Sequence, residues 1–247
     1  MGGVIDMEKA RGIVGNTVLW PRVRDFLWDF APQVHESWLE GLSGLETLDA
    51  SREGDSSLAP CLVSSPRTKS FLLSSLGVEP CFHDFPKDDG SRLLLPDGAT
   101  LEKIVQWLGA LACAEELRRV TDGATVRALK AALPGVYPDV FGYTAYFDFG
   151  ADFSHAETRI PQPKAVREAD ARAGVSAQSV SEEGCKMFFS VLSKLPGPLI
   201  RRMNLKFPKD LCDRCLSAPL REAKIKYTVI LKLLKLKFPE AYSLCCS

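Results

Sequence analysis

The chain has 247 residues, 46% of them hydrophobic and 25% charged, with 31 Lys/Arg against 31 Asp/Glu. That length suits one large domain or two small ones, and the composition excludes wholesale disorder, a collagen-like repeat and a disulfide-stapled miniprotein. The charges are segregated: residues 185–247 carry 13 Lys/Arg and 4 Asp/Glu, leaving 18 and 27 in residues 1–184, or formal charges of +9 and −9.

Residues 1–18 read as a flexible leader. It has no basic region followed by an apolar run, so no signal peptide is expected, and Asp6 breaks the myristoylation pattern behind Gly2. Trp20 to Trp38 is rich in aromatics. Within it, residues 22–31 read as a strand or one helical segment between Pro21 and Pro32. Residues 36–48 read as a helix starting near Ser37, residues 49–60 as a polar loop, and residues 66–76 as a short helix with Phe71, Leu72 and Leu76 on one face. Asp97-Gly98-Ala99-Thr100 then precedes Leu101, Ile104, Val105, Leu108 and Leu111, the spacing of an amphipathic helix. Asp122-Gly123-Ala124-Thr125 opens a second helix with Leu129 and Leu133 on its face, stopped by Pro134-Gly135. The repeated tetrapeptide reads as a shared capping device, and the two helices as a hairpin over about 100–133. Residues 137–153 hold seven of the 22 aromatics, and no Lys or Arg occurs between Lys130 and Arg159. This run reads as core, with an exposed docking patch as the other reading.

The expected division is therefore a leader (1–18), an N-terminal helical region (19–153), a linker or insert (154–184) and a basic helical C-terminal region (185–247). In the last, a helix ends at Pro196-Gly197-Pro198 and another segment, Leu199 to Lys206, stops before Pro208. Residues 220–238 are ambiguous. Ile225, Tyr227 and Val229 alternate like a strand, Val229, Leu233 and Leu236 recur like a helix, and length favours helix. The most apolar stretch, Tyr227 to Phe238, is broken by three lysines and falls short of the ~20 residues that span a bilayer. The expected fold is mainly α: an irregular multi-helix protein with at most a small β element near 20–35 or 137–153.

Chemistry is sparse. Eight scattered cysteines in a long chain read as free thiols in a reducing cytoplasm. Cys212-Asp213-Arg214-Cys215 is a CxxC, but a zinc site needs four ligands and the last 92 residues contain no histidine. The pair reads as two ordinary thiols, one buried and one partly exposed. His35, His83 and His155 have no nucleophile elbow beside them, and no phosphate-cradling glycine loop is present. No catalytic residue, metal ligand or cofactor is assigned. The basic third, centred on Arg201, Arg202, Lys206, Lys209, Arg214, Arg221, Lys224 and Lys226, suits four readings: a solvated face, docking on the acidic remainder, an acidic protein partner, or a nucleic-acid or anionic-membrane surface. A single-strand binder would interleave aromatics with those cations, and here they are apart.

Three patches carry a family resemblance. Val34-His35-Glu36-Ser37-Trp38-Leu39 is similar to a His-x-Ser-Trp-Leu pattern. The segment from Trp107-Leu108-Gly109 through Leu117-Arg118-Arg119-Val120-Thr121-Asp122-Gly123-Ala124 to Leu129 resembles a Leu-Gly … Leu-Arg-Arg-x-x-Asp-Gly-Ala-x-x-Arg-x-Leu pattern. Leu199-Ile200-Arg201-Arg202-Met203-Asn204-Leu205-Lys206-Phe207-Pro208 resembles an Arg-Arg-x-x-Leu-Lys-Leu/Phe-Pro pattern. Glu36 departs from the first, standing where Pro is expected. Their order resembles the SctK (YscK/HrpD) family of bacterial type III secretion. That resemblance implies a non-catalytic cytoplasmic adaptor of the sorting platform, peripheral to the inner membrane. It implies contacts with a pod protein of SctQ type and with the cytoplasmic domain of an inner-membrane ring protein of SctD type, no nucleic acid, and membrane contact only through the ring. Trp38, Arg118, Arg119, Arg201, Arg202 and Lys206 are its candidate partner-binding residues, and Asp122 and Gly123 a structural turn.

Overall fold

The structure, a computed structural model, describes residues 19–39, 66–78, 85, 89–147, 153–155, 175–217 and 223–246. The expected leader, most of the expected 36–48 helix, the polar loop after it and residues 156–174 lie outside the described residues. The described chain is mainly α. In order it runs α1 (Leu19–Trp28), 3₁₀ turns at Ala31–Gln33 and Glu36–Trp38, α2 (Pro66–Ser75), a 3₁₀ turn at Asp89–Leu94, α3 (Gly98–Ala112), α4 (Ala114–Arg119), α5 (Gly123–Ala132), α6 (Val140–Tyr143), a 3₁₀ turn at Thr144–Tyr146, β1 (Phe153–His155), α7 (Ala177–Leu192), α8 (Gly197–Asn204), α9 (Lys209–Ser217), β2 (Ala223–Ile225), α10 (Tyr227–Lys237) and α11 (Pro239–Cys246).

Several expectations change in detail. Residues 22–31 are not strand: α1 begins at Leu19, and Pro21 sits in its first turn, where the missing amide has no intrahelical acceptor to lose. Of the helix expected from Glu36, the described part is one 3₁₀ turn. The small β element is absent from residues 20–35. It is β1 pairing antiparallel with β2, Phe153 opposite Ile225. In the ambiguous stretch 220–238, Ile225 ends β2, while Tyr227 and Val229, which alternate with it in sequence, lie in α10 with Leu233 and Leu236, so the helical reading holds for Tyr227–Lys237. α7 starts at Ala177, inside the segment expected as linker, because Ser176 and Ser179 cap it reciprocally. Each hydroxyl accepts the other residue's amide, at 3.1 and 3.0 Å. The repeated tetrapeptide is a capping device in both places. Asp97 accepts the Thr100 amide at 2.8 Å and Asp122 the Thr125 amide at 2.7 Å.

The chain divides into two compact units, each assembled from separated stretches. The first is Met1–Leu101, Lys194–Lys209 and Phe238–Ser247. Its core joins Val23, Phe26 and Phe30 around α1 with Leu72, Leu93, Leu94, Leu199, Met203 and Phe207. Phe26 meets Phe30 and Phe85 edge to face, at 5.5 and 6.3 Å between centroids. α11 is held against the 89–94 turn, where Arg92 donates to the Cys245 carbonyl at 3.2 Å.

The second unit is Glu102–Ser193 and Asp210–Lys237. Its core joins Ile104, Val105, Leu108 and Leu111 of α3 with Val180, Phe188 and Leu192 of α7 and Val229, Ile230, Leu233 and Leu234 of α10. α3 and α7 cross backbone to backbone at Gly109 and Gly184. A Cβ on Gly109 would land on the Val180 carbonyl oxygen, and one on Gly184 on the Val105 carbonyl oxygen. Only glycine permits that approach.

Candidate functional site

The first and third sequence patches meet in the first unit. The 3₁₀ turn at Glu36–Trp38 lies along the segment that follows α8. His35 donates its amide to the Leu205 carbonyl at 2.7 Å, Trp38 Nε1 donates to the Phe207 carbonyl at 2.8 Å, and Ser37 Oγ accepts the Lys209 amide at 2.9 Å. The Lys209 ammonium stands 5.9 Å from the Trp38 ring centroid. Within the turn, the Ser37 amide donates to His35 Nδ1 at 3.2 Å. The His-x-Ser-Trp pattern is therefore a clip: each of its three named side chains or amides satisfies a polar group, and two of those groups lie on the other patch.

Three cations follow from α8, and each finds backbone carbonyls. Arg201 donates to the Leu76 carbonyl with Nε and Nη2, at 3.3 and 3.0 Å, closing the C-terminal end of α2. Gly77 adopts φ +63 there, and a Cβ on it would strike the Arg201 guanidinium. Arg202 is 1% exposed, donates to the Phe26 carbonyl at 3.0 Å, and lies 5.5 Å from the Phe30 centroid. Lys206, also 1% exposed, donates to the Leu94 and Pro96 carbonyls at 2.7 and 2.9 Å, with its ammonium 5.0 Å from the Phe26 centroid. Carbonyls at helix and turn ends are natural acceptors for positive groups. Burial pulls the Lys206 pKa from 10.5 down to about 7, with Asp97 opposing and Arg22 adding to the fall.

This placement corrects the sequence reading of α8. Arg202 and Lys206 were expected as contacts for an anionic partner, but solvent does not reach them, and they tie α1 and the turn before α3 to α8. Elsewhere in the basic third, Arg214 Nε pairs with Glu182 at 2.7 Å. The cation count of residues 185–247 thus overstates the positive surface, which weakens the polyanion-binding reading.

The second patch lies in the second unit. Arg118 donates to Thr144 Oγ1 at 2.8 Å and lies 5.7 Å from the Phe141 centroid, while Arg119 is exposed and only 3.9 Å from Glu115. Asp122 is the cap of α5, and Gly123 its first helical residue. Nearby, Lys237 at the end of α10 sits 4.4 Å from the Trp107 centroid and 4.0 Å from that of Tyr143, with Asp139 at 3.0 Å. The aromatic run thus holds α10 by its last lysine.

The CxxC lies on α9. Both thiols are buried, where one was expected to be partly exposed. Cys185 of α7 is buried as well, and the Cys215 Sγ donates to the Glu182 carbonyl of α7 at 3.5 Å. Among the described residues, no group of three or more His, Cys, Asp or Glu is arranged to hold a metal ion, and no helix is long and apolar enough to cross a membrane.

Sequence reasoning missed the large apolar side chains that stay open to solvent. In the first unit these are Trp28 and Phe71, at 55% and 54% exposure, and Asp29 and Lys69, paired at 2.7 Å, join their two helices. In the second they are Tyr146, at 55%, and Leu236. Leu72, buried, takes the core position beside Phe71, which one-residue uncertainty in the helical face concealed.

Residues 31–137 match the family described as YOP proteins translocation protein K (YscK). That stretch contains the first and second patches. The third lies beyond it, yet hydrogen-bonds to the first. No curated protein and no solved structure matches the chain.

Proposed function

We propose that this chain, a member of the YscK family of type III secretion proteins, works as a non-catalytic adaptor of the sorting platform. In this reading it links a pod protein of SctQ type to the cytoplasmic domain of an inner-membrane ring protein of SctD type, and sits at the cytoplasmic base of the apparatus. The observation that carries the reading is the family match over residues 31–137. Supporting it, each compact unit presents its own exposed aromatic side chains, Trp28 and Phe71 in one and Tyr146 in the other. Exposed aromatics with a polar surround are the usual anchors of a protein interface.

The test is co-expression with the pod protein and the ring protein's cytoplasmic domain of the same genome, with complex masses measured by light scattering at low and high salt. A stable complex with each partner is expected. Trp28→Ser with Phe71→Ser should abolish one complex, and Tyr146→Ser should weaken the other, with all variants still folded by circular dichroism. A chain that stays monomeric beside both partners at both salts would overturn the adaptor reading.

A further inference from the structure

The outward face of α10, in the second unit, carries charge that the described residues leave unmatched. Val229, Ile230, Leu233 and Leu234 turn inward and are buried. Lys232 and Lys235, three residues apart and both exposed, share the other face, with Leu236 at its edge, 37% exposed. Lys237, the remaining lysine of the helix, is paired with Asp139 at 3.0 Å. Among the described residues, no carboxylate forms an ion pair with Lys232 or Lys235.

The aromatic turn that precedes β1 abuts this face. Lys232 stands over the Phe147 ring, 5.1 Å from its centroid, and Lys237 over that of Tyr143 at 4.0 Å. Between those two rings in the chain is Tyr146, 55% exposed, its ring 5.8 Å from that of Tyr143. Arg118, also exposed, reaches the same turn from α4 through Thr144 Oγ1 at 2.8 Å. An open tyrosine is thereby set among cations, with Arg118 anchored two residues before it and Lys232 one residue after it.

Anionic partners differ in what they need from such a face. A lipid surface takes up an apolar helix face, and that of α10 lies in the core. A nucleic-acid strand is followed by a longer row of cations with stacking rings among them. A protein interface has a few aromatic or apolar anchors inside a polar rim, and the sign of the rim selects the partner. Tyr146 and Leu236 are such anchors, and Arg118, Lys232 and Lys235 such a rim. We propose that this face is the docking surface for an acidic protein partner, whose carboxylates meet Lys232 and Lys235 while an apolar side chain of the partner covers Tyr146. Resting on the adaptor reading, this gives the second unit the platform partner with the acidic contact face.

Dissociation constants of the full chain with the pod protein and with the ring protein's cytoplasmic domain are measured by interferometry at low and high salt. Lys232→Glu with Lys235→Glu should weaken the complex that Tyr146→Ser weakens, on the order of 10–100-fold at low salt, and flatten its salt dependence. The other complex and the circular dichroism spectrum should not change. Lys232→Gln with Lys235→Gln, which adds no repulsion, should weaken the same complex by less, and it decides the matter where the Glu pair does not fold. Vesicles of equal parts phosphatidylcholine and phosphatidylglycerol, and a duplex DNA, should show no binding that these variants lose. Such a loss would assign the face to a polyanion and overturn the proposal. So would two wild-type complexes whose affinity and salt dependence the folded variants leave unchanged, and the adaptor reading would then stand. A wild-type chain that binds neither partner would overturn both.

Discussion

Replacing Lys206 by Met tests the account of α8 most directly. Methionine keeps the length of the stem beside Phe26 and removes the ammonium, so the Leu94 and Pro96 carbonyls lose their donors. Two buried acceptors left unsatisfied cost roughly 2–5 kcal/mol together. Removing a buried charge gives part of that back, so the size of the loss at one pH decides little. Its pH dependence decides more. In the unfolded chain the lysine keeps its proton up to about 10.5, whereas in the folded chain it releases it near 7. Between those values the unfolded state binds more protons, so the wild-type chain gains stability as pH rises, by up to about 1.4 kcal/mol per unit. From pH 7, where the folded group is half deprotonated, to about pH 8.5 the gain is roughly 1.6 kcal/mol. Cys113, Cys212 and Cys245, each pushed up to about 12 chiefly by burial, act in the opposite sense as their unfolded counterparts ionise near 9. They are common to both chains, so the difference between wild type and Lys206→Met isolates the lysine. Urea denaturation across this range measures it. A difference that stays constant with pH would refute the reasoning and mean that two carbonyls and the Phe26 ring hold the ammonium charged throughout.

Four further outcomes follow from the same geometry. Gly109→Ala should destabilise the second unit by about 3 kcal/mol or more, since its methyl group meets the Val180 backbone and not a movable side chain, and thermal unfolding will show it. Arg202→Glu should destabilise the first unit by on the order of 3–5 kcal/mol, by burying an unpaired carboxylate in place of a cation that caps Phe26; Arg201→Glu, at a more exposed position, should lower stability by no more than about 2 kcal/mol in the same denaturation assay. Asp97→Ala should lower stability by about 1 kcal/mol through loss of the α3 cap. Although burial pulls the other way, the Thr100 amide and hydroxyl hold the Asp97 pKa below 3.8, so the contribution of its charge is complete at neutral pH and fades as acid titration passes below that value.

What the sequence discloses here depends on how local the physics is. The α3 stripe and its Asp97 cap lie within a few turns of one helix, and they were legible before any coordinates. So was the shared capping role of the two Asp-Gly-Ala-Thr segments. The role of α8 was not. Its spacing marks Arg202 and Lys206 as charged, and charged side chains are almost never fully buried unless paired. Their partners are backbone carbonyls of Phe26, Leu94 and Pro96, which leave no trace in residue type. Gly109 was legible as part of a Leu-Gly pattern, but its reason, the backbone of α7, lies some 70 residues away in sequence. The clip between Trp38 and Phe207 hides for the same cause: a tryptophan amine bonding to a distant carbonyl looks in sequence like any aromatic.

The composition of the first unit also has a bearing on biosynthesis. Its helices α1 and α2 leave the ribosome early, but the cations that close their carbonyl ends, and the segment that receives the Trp38 clip, are translated only after residue 200. Until then the nascent N-terminal stretch has apolar faces without a counterpart, and a ribosome halted in the middle of the message would release a chain whose first hundred residues are as incomplete as its last. Closure of this unit therefore waits for the last quarter of the chain, and the interval before it is when a chaperone has access to surfaces the finished protein conceals.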